Sequence, residues 1–146
     1  MISETQINKL FRILWPAMPF AEEHRLTCLN HLTLINKLFL KYEDSHDELI
    51  QELIKIDGIG ATIASGLIWS VYPITRVPFD KYTLSYALKL NLIKSEVVTK
   101  NYVKYCKVIC DFCGKFTIED RVYIVEDFVV ESLDIMFDSE FLISPL

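Results

Sequence analysis

Glycine is scarce in this chain, with four among 146 residues. That scarcity excludes flexible glycine-rich linkers, and no repeat or low-complexity tract is present. Cysteine also numbers four, too few and too unevenly placed for a disulfide framework. Cys28 stands alone, while Cys106, Cys110 and Cys113 cluster, and all four read as reduced thiols. No apolar run approaches the roughly 18 residues that span a bilayer, so no membrane contact is expected. The start, MISETQINKLF, lacks a basic segment leading into an apolar one, so no signal peptide is read and a cytoplasmic location is expected. Histidine numbers three, none in a Ser, Cys or carboxylate pattern that suits a nucleophilic triad. His24 and His31, seven residues apart, share a helix face and read as solvated.

What is abundant is apolar. Hydrophobic residues make up 51% of the chain, which excludes disorder and is enough for one domain, 1–146, with its own core. The formal net charge is −5, but the charges are unevenly spread. Residues 1–52 carry five basic and eight acidic side chains, residues 53–118 nine and four, and residues 119–146 one and eight. A basic middle between acidic ends suits an anion-binding face in that middle. Lys100, Lys104 and Lys107 would form a basic ridge there. The acidic part, 117–146, faces away from a polyanion or meets a protein partner, which leaves a homodimer open.

The apolar spacing is helical almost throughout. Ser3 and Gln6 have capping-box spacing before Ile7, Leu10, Phe11 and Leu14, and Pro16 breaks that helix. A single helix is expected over 22–42, with Leu26, Leu29, Leu32, Ile35, Leu38 and Tyr42 as its stripe. Ser45 and Glu48 suggest a second capping box, with Leu49, Ile50, Leu53 and Ile54 inward. A helix over 61–72 turns Ile63, Ala64, Leu67, Ile68 and Val71 inward and ends at Pro73. Asp80 is placed to cap a helix over 81–91. Ser95 is placed to cap a long one carrying Val98, Tyr102, Tyr105, Ile109 and Phe112. A last helix opens near Thr117 and Asp120, where VYIVEDFVVES is β-branched but keeps three- and four-residue spacing. The apolar tail FLISPL packs on the core or self-associates. The fold expected is a compact all-α bundle of about seven helices.

Two of the four glycines fall in IDGIGATIA, at Gly58 and Gly60. A tight turn there presents the first backbone N–H groups of the following helix, which have no partner inside the helix and lie at its positive end. A phosphate oxygen suits that position, and glycine lets it approach closely. Ile59 is expected to point inward and lock the flanking helices, with Lys55 and Thr62 adding polar contacts. Such a contact reads backbone rather than bases. Gly58→Glu is expected to abolish binding while leaving the fold largely intact. The plain alternative is an ordinary helix end and turn.

Residues 53–92, LIKIDGIGATIASGLIWSVYPITRVPFDKYTLSYALKLNL, resemble the helix-hairpin-helix DNA glycosylase superfamily, the endonuclease III-like group. Members carry a hairpin of the form L-P-G-V-G-x-x-T-A and, about twenty residues on, an aspartate opening a helix, as in V-D-x-Y-T. Here the hairpin lies within 53–72 and the second element is Phe79-Asp80-Lys81-Tyr82-Thr83. The resemblance covers about forty residues. It implies that Lys55, Gly58, Ile59, Gly60, Thr62, Lys81 and Tyr82 meet DNA. It also implies that the Asp80 carboxylate stabilises an oxocarbenium-like centre on a flipped nucleotide, with hydrolysis of an N-glycosidic bond.

Three departures shape that expectation. Thr62 stands where bifunctional members place a Schiff-base lysine, so a monofunctional, water-using enzyme without lyase activity is implied. Cys106-x3-Cys110-x2-Cys113 does not match the family's four-cysteine iron–sulfur spacing, so no metal and no cofactor are expected, and these cysteines read as apolar residues. Only 57 residues precede Gly58, fewer than family members use to build a lesion pocket. Trp15 and Trp69 suit stacking on a base, Trp69 reading more naturally as core, and Tyr82 and Tyr86 either line a groove beside Asp80 or pack. The competing reading is a non-catalytic module that keeps the fold and binds DNA or a protein, with Asp80 only a cap. A third is an enzyme using the same carboxylate on another nucleoside substrate.

Overall fold

The computed structural model describes residues 1–15, 18–94 and 99–113. Ser95, Val98, the last expected helix and the tail FLISPL lie outside the described residues. Those described form seven helices and no strand: α1 (Glu4–Ile13), α2 (Ala21–Asn30), α3 (Leu32–Lys41), α4 (His46–Leu53), α5 (Ala61–Val71), α6 (Lys81–Lys89) and α7 (Tyr102–Cys113). The protein is an all-α, compact fold. Among the described residues there is one helix more than expected, because the helix expected over 22–42 is two.

α5 is the centre of the molecule. Seven consecutive residues, Ile63 to Trp69, are buried, as expected of a helix covered on all sides. α1 and α4 both pack on it, α2 packs on α1, and α3 and α7 pack on α4. Gly66 makes the fit against Trp15 possible: a Cβ there would come within 2.5 Å of the indole ring. Trp69 is buried in the core, while Ile13 at the end of α1 stays exposed.

The local signals work where partners are close in sequence. At α1 the Ser3 hydroxyl accepts from the Gln6 amide at 3.2 Å and the Gln6 side chain accepts from the Ser3 amide at 2.8 Å. At α4 the expected box does not form; Ser45 has ψ 83 and makes no side-chain cap bond. The break between α2 and α3 falls at His31, where ring and amide nitrogens both bond the Thr27 carbonyl, at 2.9 and 3.1 Å. Side-chain competition for a helix carbonyl bends or ends helices. The bend changes the expected stripe. Cys28, Ile35 and Phe39 are buried, whereas Leu26 is exposed. Ile54 and Phe112, expected inward, are also partly exposed.

The segment between α5 and α6 is fixed to its neighbours by polar groups. The Phe79 amide donates to the buried Ser65 hydroxyl at 3.0 Å. The Tyr102 hydroxyl donates to the Val77 carbonyl at 2.9 Å, and the Val77 amide donates to the Cys106 sulfur at 3.4 Å. The Arg76 Nε donates to Nδ1 of the buried His46 at 2.7 Å. α5, α7 and α4 thus each hold this strap, which sets where Asp80 stands. Just past the end of α6, Asn91 takes a left-handed backbone (φ 59) that an asparagine tolerates well.

Candidate nucleic-acid interface

The turn between α4 and α5 is built as a tight reversal. The Ile59 amide donates to the Ile56 carbonyl at 3.0 Å, and both side chains are buried. Between them Gly58 has φ +87, where a side chain is strained. A Cβ at Gly58 would also come within 3.0 Å of the Thr27 methyl group on α2. The expectation that an acidic residue at Gly58 leaves the fold intact is therefore corrected: backbone strain and Thr27 both oppose it. Gly60 is the reverse case. It has φ −89, and nothing lies within 4 Å of a Cβ there.

Gly60 opens α5 without a side-chain cap, and the first turn of α5 has no acidic residue. α2 and α4 also lack side-chain caps, but their first turns hold Glu22 and Glu23, and Asp47 and Glu48. α3 follows α2 after a single residue, so the carbonyl end of α2 adjoins its start. At α5 the positive helix end meets open solvent with no compensating charge in its own first turn.

Lys55, Gly58, Ile59 and Gly60 share one open concavity of about 490 Å³ with Asp57 and His24. Lys55 is exposed and paired to Glu52 at 2.6 Å, and that carboxylate raises its pKa above the ordinary lysine value. Such a surface pair contributes little stability. Thr62 lies in the first turn of α5, half-buried, with its carbonyl accepting from the Ser65 hydroxyl at 2.8 Å. His24 had read as solvated; instead its Nδ1 lies 3.3 Å from the Gly58 carbonyl. Nothing local in the sequence signals this contact, since the partners are 34 residues apart.

Asp80 belongs to a second locus. Its Oδ1 accepts from the Thr83 amide at 2.8 Å, and its own amide donates to the Thr83 hydroxyl at 2.8 Å. It therefore caps α6, as its position predicts. Lys81 is exposed at the start of that helix, Tyr82 falls within it, and Tyr86 is buried in the core. The hollow beside Asp80 is walled by Leu14, Trp15, Pro78, Phe79 and Thr83 and holds about 10 Å³, room for about one water. It shares no lining residue with the concavity at the turn. The expected site residues thus form two groups, one at each helix start.

Cys28 and Cys106 are buried in the core as apolar residues. Burial pushes the Cys28 thiol up to about 12 and the Cys106 thiol up to about 11. Among the described residues no three His, Cys, Asp or Glu side chains gather as metal ligands. The basic ridge is only partly as expected: Lys100 precedes α7, and Lys107 pairs with Asp111 at 2.9 Å. No helix among the described residues is long and apolar enough to cross a membrane. No family model, curated protein or solved structure matches this chain.

Proposed function

We propose that this chain is a DNA-binding module of the helix-hairpin-helix glycosylase type, gripping backbone phosphate through residues 55–62. The observation that carries the reading is the start of α5: no side-chain cap, no acid in the first turn, and open space around Gly60. Two or three amides at a positive helix end then meet a phosphate oxygen, with Lys55 beside them. The grip is to backbone and independent of sequence.

Base excision through Asp80 is the second reading, supported by a carboxylate fixed at a helix start with Trp15 on the wall of its hollow. Excision needs that hollow to open far enough for a base. The binding module needs no movement, and for that reason it is preferred.

One experiment tests both. Binding of a fluorescent duplex is followed by anisotropy across salt concentrations for wild type and Gly60→Glu, with alkali-developed cleavage of oligonucleotides carrying damaged bases run alongside. Binding that weakens with salt and falls more than about tenfold in Gly60→Glu is expected, because the new carboxylate occupies the phosphate's position. Full-strength binding by Gly60→Glu removes the turn from the interface. Cleavage by wild type, absent in Asp80→Asn, establishes the excision reading; asparagine keeps the cap.

A further inference from the structure

We propose that the hollow between α1 and the end of α5 is a binding site for a small carboxylate with an apolar body. It holds about 290 Å³. A dry cavity of about 150 Å³ accommodates a benzene ring, so this one has room for an apolar group of that size and more. On α1 it is lined by Gln6, Lys9, Leu10 and Ile13, whose spacings of three and four residues put them on one face of the helix. The opposite wall is Trp69 and Ser70 of α5, with Pro73 just beyond. Leu10 and Trp69 are part of the core, but Ile13 is 39% exposed. These residues leave a recess walled by an indole, two aliphatic side chains and a proline ring. It shares no lining residue with the concavity at the turn or with the Asp80 hollow, so the inference stands apart from the DNA reading.

The polar groups around the recess select the head group. The Gln6 Oε1 accepts from the Ser3 amide at 2.8 Å, and its Nε2 donates to the Ser70 carbonyl at 3.2 Å. The Ser70 hydroxyl donates to the Leu67 carbonyl at 2.7 Å. Both side chains are thus engaged by the fold. Lys9 is the single charged residue of the lining. It is exposed and makes no ion pair among the described residues, unlike Lys55 and Lys107, which pair with Glu52 and Asp111. A lysine stem is long and flexible enough to bring its ammonium over the outer end of a ligand. An apolar body against Trp69 and Leu10 gains by leaving water, and a carboxylate beside Lys9 gains a charge-assisted hydrogen bond. An ammonium in the same place meets Lys9 as a like charge, and a hydroxyl gains less from it.

The test is calorimetric titration of the full chain with three probes of one chain length: octanoate, octanol and octylamine. Octanoate is expected to bind about three- to tenfold tighter than octanol, and octylamine more weakly than either. Lys9→Met keeps the length of the side chain and loses its charge, at an exposed position. It should bring octanoate to the affinity of octanol and leave octanol unchanged. In a Trp15→Phe protein the emission belongs to Trp69 alone, and octanoate is expected to change it saturably, with the calorimetric Kd. No saturable binding of octanoate by wild type, equal wild-type affinities for octanoate and octanol, or an octanoate affinity untouched in Lys9→Met overturns the proposal. Octanoate that binds without changing the Trp69 emission sits elsewhere and overturns it too. Duplex binding is not read in these titrations, so either result leaves the function proposed above where it stands.

Discussion

The starts of α5 and α6 are opposite solutions to one problem. Each helix leaves its first amides without partners inside the helix. At α6 the chain answers with its own side chains, Asp80 taking the Thr83 amide and the Thr83 hydroxyl taking the Asp80 amide. At α5 it supplies glycine and no acid. A helix start that is satisfied internally has little left for a ligand, and one that faces water without a cap keeps its donors available. On the function proposed above, the α6 start serves stability and the α5 start serves recognition, although the resemblance had placed the chemistry at α6.

The contrast can be broken by exchanging what each start possesses. The largest effect is expected from Gly60→Glu. It should lower duplex affinity by more than about tenfold, about 1.4 kcal/mol, with an unchanged or slightly raised melting temperature. Thr83→Val should do the reverse. It removes the hydroxyl that accepts from the Asp80 amide and donates to the Asp80 carbonyl, and should cost about 1–2 kcal/mol in urea unfolding, while duplex affinity holds. Gly58→Ala should cost about 1 kcal/mol from its positive φ and the Thr27 contact, measured by the same unfolding curve.

The pH dependence of stability offers a finer test away from both starts. Burial, and then the nearby Arg76 guanidinium, lower the His46 pKa below its ordinary value. The unfolded ring therefore takes up a proton before the folded one does. Stability should be complete above about pH 6.5, where the free ring is neutral, and should fall as pH drops below it. Thermal melts from pH 8 downward check this, and His46→Gln should flatten the curve. The smallest effect is expected from Lys55→Ala, which should reduce the salt slope of binding by no more than about one and leave the melting temperature unchanged.

How much of this was legible in the sequence depends on the separation of the interacting groups. The Ser3–Gln6 box, the buried face of α5, the inward Ile59 and the Asp80 cap all follow from neighbours within a few residues. The split at His31 was hidden because no glycine or proline marks it; a ring bonding back to Thr27 does the work. The failed box at Ser45 has the right residue types, but ψ 83 turns the serine away from the helix amides. His24 at Gly58, Arg76 at His46 and Trp15 on Gly66 join residues 30 or more apart, and no local pattern encodes such pairs. The candidate site was therefore legible as two glycines and an aspartate. Their separation into two loci, and the part played by α2, were not.

The packing of Trp15 against the bare backbone at Gly66 has an optical consequence. Its indole forms a wall of the Asp80 hollow, while the other indole, Trp69, lines a separate cavity of about 290 Å³ between α1 and α5. The protein thus carries two indoles that line different cavities. In a Trp69→Phe protein the emission belongs to Trp15 alone, and its wavelength reports directly on whether water or a base has entered beside Asp80.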